Sequence, residues 1–188
     1  KEAEAAVRLA DALAASLGEI EIGLRTEIAS TAVLLKARAE FALAREPAAL
    51  ETLKGLRERY PMTDAASSSF LIESEYYAVQ DKIDEARNRL ISLTDNSNYK
   101  NSEYVPYALF QLALLSERLG RPENLQEANK RIEDLIELVA KTPAAGQADL
   151  IFAARLKQGD IFRKLNDFPA AQRAYEDIVN KYSRRPDV

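Results

Sequence analysis

The side chains here that could do chemistry are few, because the 188 residues include no His and no Cys. Serine-histidine hydrolysis, thiol nucleophiles, structural zinc and most transition-metal sites are excluded together on that ground. Carboxylates, Lys, Arg, Tyr and hydroxyls remain. Ser97 and Lys100 form an S-x-x-K, the spacing of a serine nucleophile and its lysine base in penicillin-recognising enzymes. Such a pair opens a buried helix and needs S-D-N-like and K-T-G-like companions, which are absent. Here it falls in an Asn-rich stretch and reads as solvated turn residues. The same stretch, counted from Asp95, imitates a calcium loop, but it lacks the central Gly and has Pro106 where the bidentate Glu belongs. No metal or other cofactor is expected.

Paired carboxylates such as Asp84 with Glu85 and Glu133 with Asp134 can do acid and base work when burial splits their pKa values. These pairs lie on polar helix faces and read as solvated surface. Tyr76, Tyr77, Tyr104, Tyr107 and Phe110 could form a stacking platform for bases or sugars, yet aromatics at helical spacing are more often core. A formal net charge of −4, from 26 basic and 30 acidic residues, lacks the footprint of a phosphate-backbone binder, so nucleic acid is not an expected partner. Apolar stretches such as Ala108 to Leu115 fall well short of the roughly 20 residues of a membrane span. The chain begins at Lys1 without Met or a signal-peptide pattern and reads as a fragment or processed form. Composition leaves compartment and oligomeric state open.

The elements that must position these residues are helices. The chain is 47% hydrophobic, with only six Gly and seven Pro, less turn punctuation than a β protein of this size needs. Prolines at 47, 61, 106, 122, 143, 169 and 186 divide apolar-periodic segments of helical length. From Asn124 to Ala140 the residues Ala128, Ile132, Leu135, Ile136 and Val139 recur at three- and four-residue steps, an amphipathic helix. Pro106 to Leu119 forms its partner and closes at Gly120. A polar loop is expected from Thr94 to Tyr104. Lys1 to Leu17 reads as a lone helix. The alternation of Ile20, Ile22 and Leu24 hints at a strand, but Ile20, Leu24 and Ile28 fit a helix equally, and an isolated strand has no partner.

The second helices of successive hairpins align on a small residue. Ala49, Ala86, Ala128 and Ala171 are each followed four positions on by Leu53, Leu90, Ile132 and Tyr175, then three further by Leu56, Leu93, Leu135 and Ile178. The spacings of 37, 42 and 43 residues are helical-hairpin lengths. In the last unit, Gly159, Phe162, Phe168, Ala171, Tyr175 and Ile178 closely resemble the signature positions of the tetratricopeptide repeat (TPR). Ser74, Tyr77, Ile83, Ala86 and Leu90 fit it too, as do Ala113, Ser116, Gly120, Ala128 and Ile132 with about three extra residues in the turn at Pro122 to Leu125. The first unit has Glu40 three residues after Ala37, where an aromatic is expected.

The resemblance implies an all-α, right-handed superhelical array of antiparallel helix hairpins, a TPR-like α-solenoid in one repeat domain over 1–188. Its hairpins are expected at about 27–60, 66–94, 106–140 and 148–182 behind the lone helix at 1–17. The runs Arg59-Tyr60-Pro61, Lys181-Tyr182-Ser183 and Ser102 to Ala108 resemble repeats of bacterial cell-envelope proteins, implying periplasm or envelope, with cytoplasm as the alternative. TPR proteins receive a partner segment in a concave groove lined by the first helices. Carried over by position, Arg38, Glu75, Tyr107, Phe110, Arg118, Asp160, Arg163 and Lys164 would meet another protein or peptide, without catalysis. Leu34, Ser68, Leu71 and Leu156 share the same wall, with Leu71, Phe110 and Leu156 the first expected to turn into the core. A structural spacer or oligomerisation module is the alternative.

Overall fold

The computed structural model describes residues 1–16, 22–141 and 147–182. Among them are nine α-helices and a 3-10 turn: α1 Glu2–Ser16, α2 Ile22–Ala42, α3 Glu46–Arg59, α4 Asp64–Val79, α5 Ile83–Thr94, α6 Val105–Leu119, α7 Pro122–Lys141, α8 Gln147–Lys164 and α9 Phe168–Tyr182. The fold is all-α, and consecutive helices pack in pairs as a TPR-like repeat array. It forms two compact units, Lys1–Tyr104 and Val105–Val188. The ambiguous stretch near residue 22 is helical from Ile22 onward, and Ile20 lies outside the described residues.

One local device sets the hairpin register. Three of the first helices end in a Schellman motif, in which two backbone N–H groups reach back around a left-handed residue. Ala44 N–H bonds Phe41 O at 2.9 Å and Arg45 N–H bonds Glu40 O at 2.9 Å. The same pair of bonds recurs at Asp81 and Lys82, and at Asn166 and Asp167. The left-handed residues are Ala44, Asp81 and Asn166, with φ between 54° and 61°, and Gly120 at 71° ends α6. Each stands seven residues after a buried small residue: Ala37, Ser74, Ala113 and Gly159 respectively. The first repeat is therefore in phase. Its Glu40 is buried and accepts a 2.7 Å bond from Thr52 Oγ1, so a polar pair takes the place of the expected aromatic. The extra residues near Pro122 are not a longer turn. They add a first turn to α7, which starts six residues before Ala128, whereas α3, α5 and α9 start three before their alanines.

In the first unit, Leu34, Ala37, Leu53, Leu56 and Ala65 form a core that Phe41, Tyr60 and Ile72 flank. Helix α4 enters this core with Ser67, Ser68 and Ser69, all buried. Their hydroxyls donate to carbonyls one turn back, Asp64, Ala65 and Ala66, so small polar side chains allow close packing without orphaned donors. The expected polar loop contains a 3-10 turn, Ser97–Tyr99, and its Tyr99 is buried edge-on against Phe70. Helix α4 is capped by Thr63, whose Oγ1 accepts from Ala66 N–H at 3.2 Å and donates to Tyr60 O at 3.0 Å. Thr63→Ala should lower stability by about 1 to 2 kcal/mol, because both bonds are lost from a buried site. Urea denaturation followed by circular dichroism checks this, and a change below about 0.3 kcal/mol would remove the cap from the account.

The second unit buries Ala108, Leu112 and Ala113 of α6 with Ala128, Ile132 and Leu135 of α7 and Ala154 and Ile161 of α8. At Gly159 a Cβ would stand 2.7 Å from Tyr175 Cζ and 2.8 Å from its Cδ1, so this helix pair needs the missing side chain.

Candidate partner-binding site

In the first unit, α2 and α4 are the first helices of their hairpins. They enclose a recess of about 490 Å³ with the start of α3. Its aromatic surface comes from Phe41 and Tyr76, with ring centroids 5.1 Å apart. Val79 projects into it and is 82% exposed. Arg38 and Glu75, both expected on the groove wall, line this recess together with Glu46. A large exposed aliphatic beside paired aromatics, rimmed by charges, is the composition of an interaction surface. Arg38 also acts on Tyr104: burial, with Glu103 and Asp64 nearby, raises the Tyr104 pKa, and the Arg38 charge opposes that rise. Not every carried-over position is presented. Leu34 and Ser68 are buried, because α2 and α4 turn those positions toward the neighbouring helix.

In the second unit the expected residues form a ladder of charge. Glu117, only 9% exposed on α6, accepts from Lys164 Nζ at 2.7 Å and pairs with Lys157 at 3.2 Å. Asp160 accepts from the Tyr175 hydroxyl at 2.9 Å and lies 3.8 Å from Lys157. Burial and this bond to Asp160 raise the Tyr175 pKa. Asp160 and Lys164 are thus engaged within the unit. Arg163, with a side chain 66% exposed and 4.0 Å from Asp160, is the more available cation. Arg118 and Tyr107 are exposed, and Phe110 is half-buried. Leu156 is not core as expected but 44% exposed, while Gln158, two residues on, turns inward to Asn129 at 3.0 Å.

Neither unit offers catalytic machinery at the positions the sequence raised. Ser97 and Lys100 are both exposed and open no α-helix, and Asn96 Oδ1 caps their turn by accepting from Asn98 N–H. Asp84 pairs with Arg87 and Asp134 with Arg131 on outer helix faces. Among the described residues no group of three or more His, Cys, Asp or Glu could hold a metal ion, and no helix is long and apolar enough to cross a membrane.

Sequence reasoning missed a charged trio around a buried carboxylate in the first unit. The Glu73 side chain on α4 is 6% exposed and lies between Arg57 of α3 at 2.7 Å and Arg89 of α5 at 2.9 Å. Arg57 also donates to Ser69 Oγ at 3.0 Å and covers the Phe70 ring at 4.7 Å. No shared spacing marked them, since Arg57 stands eight after Ala49 and Arg89 three after Ala86.

Residues 153–184 match the tetratricopeptide repeat model. No curated protein matches the chain. Among solved structures, BtubC (BKLC) from P. vanneervenii superposes with a TM-score of 0.72 at 14% identity, over 100% of this chain and 72% of that one. A Podosopora anserina chain of nearly identical TPR-like repeats, named for kinesin light chain, gives 0.63 at 15% identity over 99% and 87%. At these identities the likeness shows the fold, and these structures lend no support to the envelope-style resemblance. The short runs behind that resemblance fall at helix boundaries, Tyr60 after α3 and Tyr104 before α6. With four small-residue hairpins in one phase and the repeat model matched at the last of them, the chain carries a TPR-like repeat fold.

Proposed function

We propose that the chain is a non-catalytic adaptor that holds a segment of another protein against the inner faces of its first helices. The observation that supports this best is the α2–α4 recess, where an exposed Val79 and a tilted aromatic pair stand among charged side chains. TPR repeats are generally protein-interaction modules, which agrees with the match over residues 153–184. The exposed Arg163 gives the second unit a cation for a charge-assisted contact of its own.

A photo-crosslinking residue placed at Val79 should give adducts with a partner in extracts of the source organism. The same residue at Glu58, exposed on the second helix α3, should give none. Adducts from Glu58 alone would move the interaction off the inner face and sink this reading. The spacer or oligomerisation reading draws on α9, where Phe168 and Val179 are exposed around an apolar recess of about 470 Å³. Mass by light scattering that rises with concentration would favour it.

A further inference from the structure

Resting on that adaptor reading, we infer that the α2–α4 recess is built for a basic side chain of the partner, an arginine or a lysine flanked by apolar residues. The recess is lined by two carboxylates, Glu46 and Glu75, and one cation, Arg38. Among the described residues, neither carboxylate has a basic group within 4 Å, unlike Glu58 and Glu73 on α3 and α4, which pair with Lys54 and with Arg57 and Arg89. The walls therefore carry one uncompensated negative charge. A cationic guest removes it, whereas an acidic guest placed against Arg38 meets two like charges.

The floor favours the same guest. Phe41 and Tyr76 lie 5.1 Å apart with their ring planes inclined at 37°, a surface on which a flat guanidinium stacks and an aliphatic stem packs. Elsewhere in this unit the chain uses that pairing on its own arginines, with Arg57 over Phe70 at 4.7 Å and Arg89 over Tyr77 at 5.8 Å. Both internal examples combine an aromatic face with the Glu73 carboxylate. The recess offers the same combination, an aromatic face beside carboxylates, open to a guest. At about 490 Å³ it has room for one long basic side chain and an apolar neighbour resting on Val79.

The test uses N-acetylated, C-amidated pentapeptides Leu-Ala-X-Ala-Leu with X as Arg, Lys, Ala or Glu, titrated into the isotope-labelled 188-residue chain. The Arg peptide should shift the Val79 methyl and Tyr76 ring resonances and bind about tenfold more tightly than the Glu peptide, a preference that weakens with salt. Glu46→Gln with Glu75→Gln should remove the preference and leave the far-ultraviolet spectrum unchanged. If the Glu peptide binds better and Arg38→Ala abolishes it, the basic guest is refuted while the inner-face reading stands. If no peptide shifts these residues, the basic guest is likewise refuted, and crosslinking at Val79 decides the adaptor reading separately.

Discussion

Glu73→Ala should lower the stability of the first unit by about 3 to 5 kcal/mol at neutral pH, a larger effect than any other single substitution considered for this chain. The magnitude follows from what the carboxylate leaves behind. Arg57, with its side chain 15% exposed, would lose the acceptor at 2.7 Å and keep only Ser69 and the Phe70 face. Arg89 would lose its partner at 2.9 Å. Two guanidinium groups, Arg57 at 15% exposure and Arg89 at 39%, would then repel each other, whereas the wild-type trio is net positive by one charge rather than two. Glu58→Ala provides the contrast, since that exposed carboxylate meets Lys54 only at 3.9 Å and should matter by less than about 0.5 kcal/mol. Urea denaturation of both variants checks the pair. A Glu73→Ala protein within about 1 kcal/mol of the parent would mean that the trio is solvated and contributes little. Replacing Arg57, Glu73 and Arg89 together by apolar residues separates the cost of orphaned charges from the worth of the intact trio, and such a replacement should recover most of the loss.

The trio also marks where sequence reasoning stopped. The small residues Ala37, Ser74, Ala113 and Gly159 and the partner alanines were legible because close helix approach demands a residue type, and a type at a fixed spacing can be read in one dimension. Glu73, Arg57 and Arg89 come from three helices, and each taken alone is an ordinary surface charge. Only the packing of α3, α4 and α5 reveals that their faces meet. Ser68 is expected on the groove wall, yet it is buried with Ser67 and Ser69, and the back-bonding of all three to the preceding turn cannot be seen in composition. Of the groove positions, Arg38 and Glu75 line one recess of the first unit, where helical phase on α2 and α4 carries them. Lys164 and Asp160 were assigned to a guest, yet Glu117 and Tyr175 on neighbouring helices engage them first. Phase gives the direction of a side chain and is silent on its partners.

Ala128→Leu should cost about 1 to 3 kcal/mol, and Ala171→Leu less than about 1 kcal/mol, although the two alanines hold the same place in their hairpins. Ala128 is fully buried, as are its equivalents Ala49 and Ala86, and α7 is covered by α8, whose Gln158 bonds Asn129 beside it. Three extra methyl-sized groups there have no volume to enter, so side chains or helices must shift. Ala171 is also buried, but it lines the apolar recess shared with Phe168, Tyr175 and Val179, and a leucine can extend into that space while covering exposed hydrocarbon. The steric cost is offset by new apolar contact. Thermal and urea unfolding of both variants, in the same 188-residue chain, measure the difference. Equal losses at both sites would show that the α9 face is closed to a larger side chain, and an unchanged Ala128→Leu protein would break the hairpin register on which the inner-face positions depend.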